Sequence, residues 1–183
     1  MKQADARASR RAPKLLDAEG LWDYALKLLG MRALSAEEMR TKLRRRAADP
    51  GDIDSVIGKL REYKYIDDPK FAEGFATARR DAQGFGKHRV MRDLQQRRVP
   101  KTVAERAVAE AFTGVDEIAM IEQFLERKFR NKDLHEYLQE EKHLAAAYRR
   151  LRYAGFSSAA STRVLKRYSE RAEELQDEPA ESE

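Results

Sequence analysis

A leucine with the same apolar escort recurs three times in this 183-residue chain, and that recurrence limits the fold more than any other feature. From Leu94, apolar residues stand at +5 (Val99), +9 (Val103) and +13 (Ala107), and from Leu151 they stand at +5 (Phe156), +9 (Ala160) and +13 (Val164). Leu43 has Ala48 at +5 and then, one residue late, Ile53 and Ile57. Four residues before each leucine lies another apolar side chain: Met39, Val90 or Ala147. Steps of four keep to one face of an α-helix. The leucines are 51 and 57 residues apart, the scale of a repeat made of a few short helices. A unit that small cannot bury its stripe alone, so neighbouring units must share in stabilising one another.

Helix punctuation divides each repeat into three. Asp17 caps a helix with Leu21, Ala25, Leu28 and Leu29 inward, and Gly30 is the expected stop. Ser35 and Glu38 form a capping box, Leu34 and Met39 a hydrophobic staple, and Ala36, Met39, Leu43 and Ala47 a stripe. Asp49-Pro50 starts a third helix with Ile53, Ile57 and Leu60. Asp68-Pro69 opens the second round, with Phe71, Phe75 and Ala78 inward and Gly84 and Gly86 at its end. Helices with Val90, Met91 and Leu94, and after Pro100 with Val103, Ala107 and Ala111, complete it. The third round carries Ile118, Ile121, Leu125 and Phe129, a polar insert over 130–140, then Leu144, Ala147, Tyr148 and Leu151, and a last helix capped by Ser157. The expected fold is all-α, an elongated array of three tandem three-helix repeats at 17–68, 69–115 and 116–169. A basic flexible arm (1–16) and an acidic flexible tail (170–183) are expected to flank it.

Charge points to the kind of partner. The chain is 38% charged with a net charge of +5. Residues 169–183 contribute −6, which leaves +11 on 1–168, a balance suited to an acidic surface or a polyanion. The cations gather on the second helix of each repeat: Arg40, Lys42, Arg44, Arg45 and Arg46; Lys87, Arg89, Arg92, Arg97 and Arg98; Arg149, Arg150 and Arg152. Relative to the core leucine, the position two before it holds Thr41, Arg92 and Arg149, and the position one after it holds Arg44, Gln95 and Arg152. A cationic strip of this kind fits a long periodic acidic partner, such as a nucleic acid or a protein filament. A solvated face rich in good helix formers is the alternative reading.

Nothing in the sequence proposes catalysis. Cysteine is absent, so thiol nucleophiles, thiolate metal sites and disulfides are excluded. His88, His135 and His143 share no metal-ligand spacing, and no cofactor or metal is expected. Asp67-Asp68 is explained by capping, and Gly84-Phe85-Gly86 lacks the lysine and strand of a phosphate loop. Trp22 reads as packing ahead of base stacking. No stretch is apolar enough to span a bilayer and the N-terminus lacks an apolar signal core, so a cytoplasmic protein without membrane partners is expected.

The run YALKLLGMRALSAEEMRTKL at 24–43 resembles the opening module of the RecX regulatory proteins. So does YIDDPKFAEGF at 65–75, followed by the Arg-rich helix and Arg98-Val99-Pro100. The likeness covers 18–168, and within it 20–110 most strongly. It implies an all-helical array of three three-helix modules that is not an enzyme. It further implies a protein that binds the RecA recombinase and the RecA–single-stranded DNA filament, lodges in the filament groove, and suppresses ATPase, strand-exchange and coprotease activities. Recombination, DNA repair and the SOS response are the processes so modulated. The thirteen cations above are the natural contact residues, assigned from their placement and not from a family motif. A stand-alone protein that holds single- or double-stranded DNA by its phosphates is the alternative, and a monomer is expected.

Overall fold

Side-chain caps set half of the α-helix starts. In the computed structural model, which describes residues 15–175, Asp17 Oδ1 accepts from Gly20 N at 2.9 Å and opens α1 (Ala18–Met31). Ser35 Oγ accepts from Glu38 N at 3.1 Å while Glu38 accepts from Ser35 N at 3.2 Å, closing the capping box of α2 (Ala36–Arg44). The chain continues through α3 (Gly51–Glu62), α4 (Asp68–Asp81), α5 (Lys87–Gln96) and α6 (Lys101–Ala111). Asp116, Asp133 and Ser157 cap α7 (Glu117–Phe129), α8 (Leu134–Tyr137) and α10 (Ser158–Leu165), with α9 (Glu141–Ala154) before the last of these. The fold is all-α. The described residues contain no sheet, only an isolated bridge between Leu16 and Ala47.

The helix ends explain the leucine-plus-five pattern. α3, α5 and α9 each stop at a residue with positive φ four positions past a buried leucine: Lys64 (57°), Arg98 (55°) and Gly155 (91°). The next residue donates its N–H back to that leucine's carbonyl: Tyr65 to Leu60 at 2.8 Å, Val99 to Leu94 at 3.1 Å, Phe156 to Leu151 at 3.2 Å. This is a Schellman closure, in which an apolar residue past the left-handed position packs back on the last turn. α2 ends otherwise, with Arg46 and Ala47 both donating to Leu43 O and no positive φ, so Ala48 is exposed and the next stripe arrives one residue late.

The described residues form two compact units that part between Asp67 and Asp68. In the first, Leu21, Ala25, Met39, Leu43, Ile53, Ile57 and Leu60 form the core of α1–α3. The second holds two clusters. Ala72, Ala76, Val90, Leu94, Ala104 and Val108 lie among α4–α6, and Ile121, Leu125, Leu144, Leu151, Phe156 and Val164 among α7–α10, with Phe85 packed against both. Met39, Val90 and Ala147, four residues before the core leucines, are fully buried like the leucines themselves.

Several expectations are corrected. Gly30 does not stop α1; it lies inside the helix, which runs on until Arg32 N closes on Leu28 O. Ala47 lies beyond α2, though it packs against the same core as Met39 and Leu43. Asp68 sits in the first turn of α4 and is buried. The fully buried face of α4 is Ala72 and Ala76, whose small side chains let α4 lie close against α6; Phe71 and Phe75 are half-buried and pack against the same core, while Ala78 is exposed. The polar insert contains α8 and fully buries Leu138. The arm does not extend to 16: Leu16 N donates to Arg46 O at 2.6 Å, Ala48 N donates to Leu16 O at 2.8 Å, and the side chain packs on the first core. Glu170–Leu175 form a 3₁₀ helix that fully buries Ala172, so the acidic segment begins inside the fold. The rest of the expected arm and tail lies outside the described residues.

Candidate partner-binding surface

The cations of α2 divide by what they touch. Arg40 bridges α2 to α3, with Glu37 at 3.1 Å and Asp54 at 2.9 Å. The hydrogen bond it donates to Asp54, then that to Glu37, raises its pKa and keeps it charged. It is an internal brace. Arg46 lies over the Tyr24 ring, 5.2 Å from its centroid. Arg44 is exposed and only 3.5 Å from Glu37. Lys42 and Arg45 make no side-chain hydrogen bond or ion pair among the described residues, and Arg45 is exposed.

In the second unit the start of α5 meets the end of α9. Gly86 N donates to Ala154 O at 2.8 Å and His88 N to Gly155 O at 3.1 Å, so the free amides of one helix answer the free carbonyls of another. Both positions must be glycine. A Cβ on Gly86 would stand 2.4 Å from Gly155 O, and one on Gly155 would stand 2.2 Å from Arg89 N. This junction fixes two of the expected cations. Arg89 pairs with Asp93 at 3.0 Å and its guanidinium sits 4.9 Å from the Phe85 ring and 4.6 Å from Tyr153. Arg92 is exposed and donates to Tyr153 O at 3.2 Å.

Arg97 lies over Phe71 at 4.9 Å, Arg98 occupies the left-handed stop of α5, and Lys87 is exposed at its start. On α9, Arg150 covers Phe129 at 5.4 Å and Arg152 donates to Phe156 O at the helix end. Arg149 is exposed and borders an open cleft of about 570 Å³ together with Glu140, Glu141 and Lys142. After the internal bonds are subtracted, Lys42, Arg45, Lys87 and Arg149 remain as cations with no partner among the described residues.

Residue patterns missed two features. Asp93, at the position one before the core leucine, is no gap in a basic strip. It is buried and held by Arg89 and, at 3.4 Å, by Arg79 of α4. Its one signal in the sequence is an acid four residues after Arg89. Tyr153, which no residue pattern marks, is a 69% exposed ring between Arg89 and Arg92. The histidines do not meet: His143 stacks on Tyr137 at 3.9 Å and His135 lies against Tyr168. No group of His, Asp or Glu able to hold a metal occurs among the described residues.

Comparison with known proteins gives one consistent answer. Residues 22–60 match the family described as RecX, first three-helix domain, and residues 67–108 match RecX, second three-helix domain. The chain is 34% identical over 119 residues to the regulatory protein RecX of Cronobacter sakazakii, across 60% of this chain and 70% of that protein. It is 30% identical over 151 residues to the regulatory protein RecX of Vibrio parahaemolyticus, across 81% and 88%. The crystal structure of RecX from Lactobacillus salivarius superposes with a TM-score of 0.61 at 16% identity, covering 82% of this chain and 96% of that one. At that identity the likeness speaks for the fold alone, and the sequence matches speak for the family. The chain belongs to the RecX family of regulatory proteins.

Proposed function

We propose that the protein binds RecA and RecA–single-stranded DNA filaments and inhibits their ATPase, strand-exchange and coprotease activities. It thereby modulates recombination, DNA repair and the SOS response in the cytoplasm. It acts as a binding protein, with no catalytic residue, metal or cofactor of its own. The observation that carries this reading is the set of cations left over on or beside the second helices: Lys42 on α2 and Arg45 just past its end, Lys87 on α5 and Arg149 on α9. Unpaired cations of this kind attract an acidic protein surface or a polyanion, and a filament presents whatever surface it has once per protomer.

Reversing these four to Glu tests the reading. Exposed helix-surface substitutions cost little stability, so helical content and melting should stay near wild type while binding to the filament is lost. Full inhibition by the reversed protein would move the contact elsewhere. A stand-alone DNA-binding protein is the second reading, favoured by the same cations. In that case excess free single strand would relieve inhibition in proportion to the strand added, because phosphates alone would be the target.

A further inference from the structure

Three rings gather at one end of the first unit. Trp22 of α1 meets Tyr63 and Tyr65, which flank the stop of α3, with ring centroids 5.9 and 6.1 Å away and planes inclined at 66° and 71°. The two tyrosines lie 6.4 Å apart and are 64% and 54% exposed. The left-handed Lys64 between them is the device that turns both rings to the Trp22 side. Half-buried Trp22 packs on the first core at its other face. Beyond their edge contacts with Trp22 and each other the tyrosines keep more than half of their surface open, and a cluster of large exposed rings on an ordered helix end marks an interaction surface.

The surrounding charge selects the occupant. Residues 59–65 read KLREYKY, and Lys59, Arg61 and Lys64 are exposed with no ion pair among the described residues, against the single acid Glu62. Cations interleaved with open π-faces suit a polyanion that carries its own flat rings. Their 6.4 Å spacing matches the reach of successive nucleotides in an extended strand. We infer that Tyr63 and Tyr65, backed by Trp22, form a stacking platform for unpaired bases of single-stranded nucleic acid, with Lys59, Arg61 and Lys64 holding its phosphates. This goes beyond the regulatory reading and does not rest on it, since it requires only a naked strand.

Trp22 is the only tryptophan and therefore reports on its own site. Titration of the full-length protein with a short oligothymidylate should quench its emission. Tyr63→Ala and Tyr65→Ala should each weaken binding about ten-fold, the scale of one lost base stack. Tyr63→Phe and Tyr65→Phe should keep wild-type affinity, and an abasic strand of equal length should bind every variant alike. Unchanged affinity in the alanine variants, or an equal loss on the abasic strand, would overturn the inference. So would normal oligothymidylate binding combined with lost binding to DNA-free RecA, which would assign the rings to a protein partner.

Discussion

Gly155→Ala should be among the most damaging single-methyl changes in the second unit. Gly155 has φ 91°, and an alanine there meets left-handed strain of about 1 kcal/mol. Its Cβ would also stand 2.2 Å from Arg89 N and 2.4 Å from Arg89 Cβ, far inside the ~3.5 Å of ordinary contact. α5 must withdraw, and with it go the bonds from Gly86 N to Ala154 O and from His88 N to Gly155 O, about 1 kcal/mol each. The total is about 3 kcal/mol, or roughly 10 °C in melting temperature for a chain of this size. Two companions separate the causes. Gly114→Ala carries similar strain at φ 70° with open space around it, so it should cost only about 1 kcal/mol. Gly86 has a negative φ but no room, so Gly86→Ala isolates the overlap. Thermal unfolding followed by circular dichroism measures all three. Equal shifts for Gly155→Ala and Gly114→Ala would refute the close junction of α5 and α9.

Further outcomes follow from the same geometry. Asp93→Ala should cost about 3 kcal/mol in urea unfolding because it strands Arg79 and Arg89 beside a buried site, whereas Asp54→Ala, losing a carboxylate 79% exposed, should cost less than about 1 kcal/mol. Ser35→Ala removes one half of the capping box and should cost about 1 kcal/mol by the same assay. Deleting 176–183, which carries four acids and spares the 3₁₀ helix, should tighten binding to random single-stranded DNA at low salt; the difference should shrink as salt rises, and equal affinities at low ionic strength would leave the tail a solubility device.

What the residues disclosed in advance, and what they hid, has a physical order. The helices and several of their caps were legible because Asp17, Ser35 and Ser157 each precede an apolar stripe of period 3.6. The leucine-plus-five rule was visible as a pattern, though its cause lies in backbone closure. It has left-handed stops after Leu94 and Leu151 only, and the first of these is Arg98, not the glycine that marks such a turn; Lys64 closes α3 after Leu60 in the same way. Gly30, with the expected residue type, sits in mid-helix instead, since a stop needs the whole closure and not one permissive residue. The cations were countable but their partners were not. Arg40 and Arg89 look like Arg45 and Arg149 in sequence, and only tertiary packing brings Asp54 to one and Asp93, Phe85 and Tyr153 to the other. Likewise Trp22 is 41 and 43 residues from Tyr63 and Tyr65 along the chain and their neighbour only once α1 lies on α3.

The regulatory reading meets its most direct test in the ATPase of preformed RecA filaments on single-stranded DNA, titrated with the full-length protein. A ligand that recognises the filament's repeating surface should lower turnover at less than one molecule per RecA protomer, and below concentrations that saturate free DNA. Turnover that stays constant at molar excess, with the protein folded and the filament intact, would contradict it.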